Sequence, residues 1–219
     1  MPSSIFERAA KKQGYEIIAG IDEVGRGPWA GPVYACAAII DTRKIAKSGL
    51  AALDDSKKLN AAARDTLYAR LIEHAQIGIG FCTVEEIDRI NILQASMLAM
   101  KRAVAALPMQ PHYALIDGNK KPDLAMPCEA IVEGDAKSYS IAAASIVAKV
   151  TRDRIMVELA ESFPGYGWHT NMGYGTKEHQ AALASLGVTE HHRKSFAPVF
   201  NRLSQMTLDL RDVASNESA

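Results

Sequence analysis

The chain carries no excess of either charge: its 219 residues hold 25 Lys+Arg and 25 Asp+Glu. Net charge therefore gives no pointer to a polyanionic partner, and any nucleic-acid contact must come from a local basic surface. Cysteine is scarce. Cys36, Cys82 and Cys128 are odd in number, far apart and without CxxC spacing, which argues against a disulfide framework or a zinc site and for buried free thiols in a reducing compartment. No apolar run approaches the ~20 residues that span a bilayer, and Met1 to Gln13 holds no signal-like segment. A cytoplasmic chain with no membrane partner is expected. Internal repeats, low-complexity stretches and linkers are also missing. The 48% hydrophobic and 23% charged content is that of an ordinary globular protein, long enough for one packed domain with a short appendage.

Against this plain background one segment stands out. Ile17 to Pro28 is a short apolar run that ends in adjacent carboxylates, Asp22-Glu23, followed by Gly25-Arg26-Gly27-Pro28. Acids at the end of a buried strand oppose folding unless something compensates their charge. Successive residues of a strand point to opposite faces, so Asp22 and Glu23 can share one site only if the strand stops there, and the turn from Gly25 supplies a stop.

Residues 17–22 and 31–40 read as strands, the second apolar enough to be covered on both faces. Asn60 caps a helix, residues 76–84 alternate as a third strand, and helical periodicity runs from Glu85 to Leu107, strongest from Ile92. His112 to Ile116 and Ala130 to Val132 are short strands. A long Ala-rich helix covers about 138–163, the Gly- and aromatic-rich stretch 164–176 is loop, and 177–187 and about 195–209 are helical. The pattern predicts an α/β fold, a mixed sheet flanked by helices, with a core over 1–163 and a helical extension over 164–219 that frays at its end.

Two further strand ends carry acids, Asp117 and Asp135. In a sheet whose strands run together such ends meet at one edge, where α/β sheets place ligands. Four oxygen donors without converging His or Cys suit Mg²⁺ or Mn²⁺. A pair of such ions serves in-line phosphoryl displacement. Any one of these acids alone is explained as an ordinary turn residue; Asp22-Glu23 followed by Gly25 to Pro28 is not.

These motifs carry a resemblance. Gly20 to Val33, Asp54 to Leu59, Ile116 to Asn119, Gly134 to Asp153, Gly173 to His179 and His192 to Pro198 together resemble the signatures of bacterial type 2 ribonucleases H, the ribonuclease HII family, in the family's order over roughly 15–200. The resemblance implies a ribonuclease H-like fold with a C-terminal helical extension. It implies Asp22, Glu23, Asp117 and Asp135 as catalytic metal ligands for Mn²⁺ or Mg²⁺. The implied activity is hydrolysis of RNA in RNA–DNA hybrids, and cutting on the 5′ side of a lone ribonucleotide in duplex DNA to leave 3′-hydroxyl and 5′-phosphate ends. A monomer is implied as well, with recruitment by a sliding clamp left open.

Substrate contacts follow the same logic. Gly25, Arg26 and Gly27 can bring backbone against a sugar, and the resemblance implies that this turn reads the 2′-hydroxyl. Lys58, in a polar loop with Lys57, is a candidate phosphate contact. Ser138 and Ser140 open the long helix; caps explain both, although a helix N-terminus also suits phosphate. The small residues Ala142 to Ser145 read as packing against the sheet. Tyr174, between two glycines, is implied to pack on the deoxyribose after the ribonucleotide, with Tyr166 as the competing ring. His191 to Lys194, and Lys149, Arg152 and Arg154, are candidate basic surface for a duplex. The stretch 168–172 lacks the basic residues that relatives often carry before this tyrosine. Two rivals stand: a structure-specific DNA nuclease on the same fold, and a non-catalytic hybrid-binding protein.

Overall fold

The computed structural model describes residues 2–41, 53 and 60–205. Lys57 and Lys58 lie outside the described residues. Among the described residues the sheet has five strands, β1 (Ile18–Val24), β2 (Val33–Ile40), β3 (Ala75–Cys82), β4 (Tyr113–Asp117) and β5 (Cys128–Ile131), in the order β3-β2-β1-β4-β5. β1 pairs antiparallel with β2 and parallel with β4, and β4 pairs parallel with β5. The helices are α1 (Ile5–Lys12), α2 (Ala61–His74), α3 (Val84–Ala105), α4 (Tyr139–Ser162), α5 (Trp168–Asn171) and α6 (Lys177–Leu186), followed by helix over 197–205.

β2 shows why the sheet needs cover on both faces. Ala35 and Ala37 join a core with Ile87, Ala99 and Met100 of α3, whereas Cys36 and Ala38 face Leu67 and Leu71 of α2 and Ala142 to Ala144 of α4. The period-two alternation of the strand thus feeds two separate cores, giving a helix–sheet–helix sandwich. The small residues of α4 allow the closest approach. A side chain at Gly20 of β1 would place its Cβ 2.1 Å from the Ser140 carbonyl carbon.

Several local expectations are revised. β1 does not stop at Asp22: Glu23 and Val24 remain in register with Ala35 and Tyr34 of β2. α3 is broken at Asn91, whose backbone is left-handed at φ 66°. Its Oδ1 accepts from the amides of Leu93 and Gln94, so Asn91 caps a second helical segment, which is why the periodicity strengthens from Ile92. The stretch 164–176 is not all loop, because α5 forms within it. Residues 206–209 of the last helical reading lie outside the described residues. The thiols are free, with Cys36 and Cys82 buried and Cys128 half-buried.

α1 has no counterpart in the sequence reading. It docks through Glu7, whose Oε1 accepts from the Ser138 hydroxyl and from the amide and hydroxyl of Ser140. Ser3 also pairs with Ser138 as a parallel bridge. A carboxylate at the start of the long α4 is favoured by the unpaired amides there.

The segment after α4 is held from inside. Arg152 and Arg193, expected as surface cations, are fully buried. Arg152 donates to the carbonyls of Pro32, Met172 and Ala30 at 2.9, 3.0 and 3.2 Å. Arg193 donates to those of Gly25, Arg26 and Gly31, the first at 2.6 Å. Burial pulls the two guanidinium pKa values down to about 10 and about 9 respectively. His192, also expected on the surface, is buried against His179 and Trp168. Its pKa falls to about 3, first through burial and then through His179. Arg154 does remain outside, paired with Asp65 and lying over the Tyr68 ring.

Two outcomes are expected. Gly20→Ala should lower stability in urea unfolding by at least the ~1–3 kcal/mol typical of overpacking, because its new methyl meets backbone that cannot rotate away. Acidification from pH 6.5 towards 3 should also destabilise the fold. The folded chain keeps His192 neutral there while an unfolded histidine, with its ordinary value of 6.5, takes up a proton. Stability profiles of the wild type and His192→Gln across that range should diverge, with the variant flatter.

Candidate active site

The parallel run of β1, β4 and β5 brings their C-terminal ends to one edge of the sheet. Asp22 and Glu23 come from β1, Asp117 is the last residue of β4, and Asp135 sits in a short 3₁₀ turn, Gly134–Ala136, just after β5. All four line one cavity of about 300 Å³, together with Val24, Gly25, Arg26, Gly27, Ser145, Lys149 and Tyr174. Asp22 and Glu23 both reach it although the strand continues, so convergence at the strand's end does not need the stop inferred from the sequence.

Backbone amides absorb part of the charge. Asp22 Oδ1 accepts from the Glu23 amide at 2.7 Å, Asp117 Oδ1 from the Gly134 amide at 2.6 Å, and Asp135 Oδ1 from the Ala136 amide at 2.9 Å. Glu23 Oε1 accepts from Arg26 Nη1 at 3.0 Å, while Glu23 Oε2 is buried with no hydrogen-bond partner. With the carboxylates so turned, no three His, Cys, Asp or Glu side chains among the described residues stand together as a ready ligand set. The electrostatics still record their proximity. Burial pushes the Asp22 carboxyl well above the ordinary range; Glu23 and Asp117 press the same way, a Ser145 hydrogen bond opposes them, and Asp135 adds to the rise. Glu23 is raised too, by burial first, with Arg26 opposing and Asp117 reinforcing. An all-oxygen donor set with an orphaned buried carboxylate oxygen fits a hard divalent cation.

The glycine turn forms a further part of the cavity wall. Gly25 has φ 91°, and a side chain there would strike Arg152 Nε at 2.2 Å. A Cβ on Gly27 would sit 3.4 Å from Cε1 of Tyr174, so the ring lies directly against the turn. Tyr174 is 44% exposed, whereas Tyr166 is 4% exposed, stacks on Trp168 and donates its hydroxyl to the Gly187 carbonyl. The structure therefore places Tyr174 at the cavity and Tyr166 in the core beneath it.

The other sequence candidates divide. Lys149 lines the cavity and pairs with Asp153 at 2.8 Å. Arg26 is half-exposed and held by Glu23. Ser140 does not line the cavity: it is fully buried, with its hydroxyl and amide committed to Glu7. Ser145, a small packing residue by its sequence context, hydrogen-bonds Asp22. The available signal was a lone hydroxyl in the alanine run that faces β1.

The family model for ribonuclease HII matches residues 19–199. A ribonuclease HII of Cereibacter sphaeroides is 56% identical over 205 residues, spanning 93% of this chain and 95% of the relative. The crystal structure of ribonuclease H2 from Pyrococcus horikoshii superposes with a TM-score of 0.72 at 25% identity, covering 87% of this chain and 98% of that one. The structure of Bst ribonuclease HIII in complex with Mn²⁺ shares the fold, with a TM-score of 0.72 at 22% identity over 90% of this chain and 72% of its own. A mixed five-stranded ribonuclease H-like sheet, with these matches running through nearly its whole length, makes this chain a member of the ribonuclease HII family, enzymes that hydrolyse RNA in RNA–DNA hybrids.

Proposed function

We propose that the acidic cavity is the catalytic centre of a divalent-metal-dependent endonuclease that also cuts on the 5′ side of single ribonucleotides in duplex DNA, leaving 3′-hydroxyl and 5′-phosphate ends. One observation carries this reading: four carboxylates from three strand ends share a cavity with a glycine turn and a partly exposed tyrosine. Asp22, Glu23, Asp117 and Asp135 are the residues that would hold Mg²⁺ or Mn²⁺. Two such ions, when bound, supply an activated water and neutralise charge on the departing oxygen.

The chain's own groups supply position. Gly25 to Gly27 present main-chain atoms to a sugar without a side-chain barrier, the arrangement that a 2′-hydroxyl reader needs. Arg26 is drawn towards Glu23 and leaves the face of the turn open. Tyr174 offers its ring to the neighbouring sugar on the 3′ side. Lys149, on the cavity wall, is placed to meet a phosphate, and Lys58 keeps the phosphate role that the resemblance gives it. The catalytic core spans 1–163, and the described part of the extension over 164–219 contributes Tyr174 to the cleft. The enzyme acts as a cytoplasmic monomer. The DNA-nuclease rival is disfavoured by the glycine turn facing Tyr174, which an enzyme blind to the 2′-hydroxyl does not require.

Matched duplexes containing zero, one or several ribonucleotides, with and without Mn²⁺, test the reading. Cleavage should need both ribonucleotide and metal, and the cut should map 5′ to the ribonucleotide; cutting of all-DNA duplexes would favour the rival. Asp117→Asn should lower kcat more than the ~10–100-fold lost when only an outer partner of a metal ligand is removed, with an unchanged circular-dichroism spectrum. Tyr174→Ala should raise KM for a single-ribonucleotide duplex by about 5- to 150-fold, the equivalent of the ~1–3 kcal/mol of one stacking contact. Tyr166→Ala should instead show its main effect in thermal denaturation.

A further inference from the structure

Beneath Tyr174 lies a chain of buried polar groups that metal binding and substrate contact leave unused. His192 Nδ1 receives the Thr189 amide at 3.0 Å and lies 2.9 Å from the Thr189 hydroxyl. His192 Nε2 lies 3.1 Å from His179 Nε2. His179 Nε2 also receives the indole N–H of Trp168 at 3.1 Å, and His179 Nδ1 lies 2.9 Å from the Tyr174 carbonyl oxygen. Both histidines are fully buried.

Two of the donors have no freedom, and they fix every proton in the chain. A backbone amide only donates, so His192 Nδ1 must be bare and its proton must sit on Nε2. An indole N–H only donates as well, so His179 Nε2 must be bare and its proton must sit on Nδ1. The His192 Nε2–H then shares the single Nε2 lone pair of His179 with the Trp168 indole N–H, and the His179 Nδ1–H points at the Tyr174 carbonyl. Each link has one donor and one acceptor, and all run the same way, from Thr189 to Tyr174. Neither ring can accept a second proton without setting two N–H groups against each other.

We propose that this directed relay fixes the backbone of Tyr174 at the height where its ring meets Gly27, making His179 a positioning residue of the substrate cleft. The inference rests on the reading of Tyr174 as a substrate contact and adds what holds it there. Gly173 and Gly175 flank the tyrosine and offer its ring no lateral support. The main-chain bonds of Tyr174 itself, its N to the Asn171 carbonyl and Thr176 N to its carbonyl, are local to the loop, while the neighbouring Gly173 carbonyl accepts from the Trp29 amide at 2.8 Å. His179 joins that loop to the buried Trp168 and His192.

Two substitutions separate positioning from packing. The amide nitrogen of Asn can occupy the place of His179 Nδ1, whereas that of Gln reaches the place of Nε2. His179→Asn should therefore keep the donor to Tyr174 and hold KM for a single-ribonucleotide duplex within about twofold. His179→Gln should raise KM by about fivefold or more, the worth of one hydrogen bond, with kcat little changed. In the Tyr174→Ala background the Gln substitution should add nothing further. Equal KM defects in the Asn and Gln variants, tracking their loss of melting temperature, would overturn the relay. If Tyr174→Ala itself leaves KM unchanged, the stacking reading fails instead, and the relay is decided by nitrogen NMR of the wild-type imidazoles. Bare Nδ1 on His192 with bare Nε2 on His179 supports it, and any other tautomer pair overturns it.

Discussion

The structure depends on two buried arginines with backbone carbonyls for partners. Turning the chain from β1 to β2 within the eight residues 25–32 leaves inward-facing carbonyl groups with no strand to pair with, and a buried carbonyl without a donor is costly. The guanidinium groups of Arg152 and Arg193 fill that need. Each presents several N–H donors in a fixed plane, and between them they reach the carbonyls of Gly25, Arg26, Ala30, Gly31, Pro32 and Met172. The turn that faces the cleft therefore takes its shape from residues of the long helix and the C-terminal extension. Lysine could not substitute, since a single ammonium point cannot span such a row of acceptors.

A second tension lies at the acidic edge. Folding favours burying the strand ends, and burial disfavours their charge; Asp22 and Glu23 are both displaced upward for that reason. The amides of Glu23, Gly134 and Ala136 supply partial compensation, as does Arg26. They leave Glu23 Oε2 buried without a partner. Unsatisfied buried groups of this kind are tolerated most often at functional sites.

Much of this was legible in the sequence, for identifiable reasons. The strands of the sheet announced themselves by short apolar runs, and the four acids by their place at the ends of those runs. The parallel pairing of β1 with β4 and of β4 with β5, which joins distant segments, then gathers the acids at one edge. What the sequence concealed was the reverse of a surface rule. Arg152, His192 and Arg193 are polar residues in polar-looking stretches, yet they are fully buried: the arginines have carbonyl partners that any sequence carries and none displays, and His192 has Thr189 and the distant His179. α1 was hidden by its shortness. The break at Asn91 was hidden because both halves of α3 share one apolar face. Tyr166 and Tyr174 have similar glycine neighbours, and only packing against Trp168 or against Gly27 separates them.

The reach of these contacts along the chain bears on when the cleft can exist. Arg193 is 168 residues from the Gly25 carbonyl that it grips, and Ser140 is 133 residues from Glu7. During synthesis, which delivers the N-terminal part first, β1 and its paired acids emerge long before either clamp. A ribosome that has released the first three strands has released Asp22 and Glu23 in a chain unable to shape the turn beside them. The cleft is thus among the last features to form, and a truncated product carries the acids without the turn geometry that would present them to a duplex.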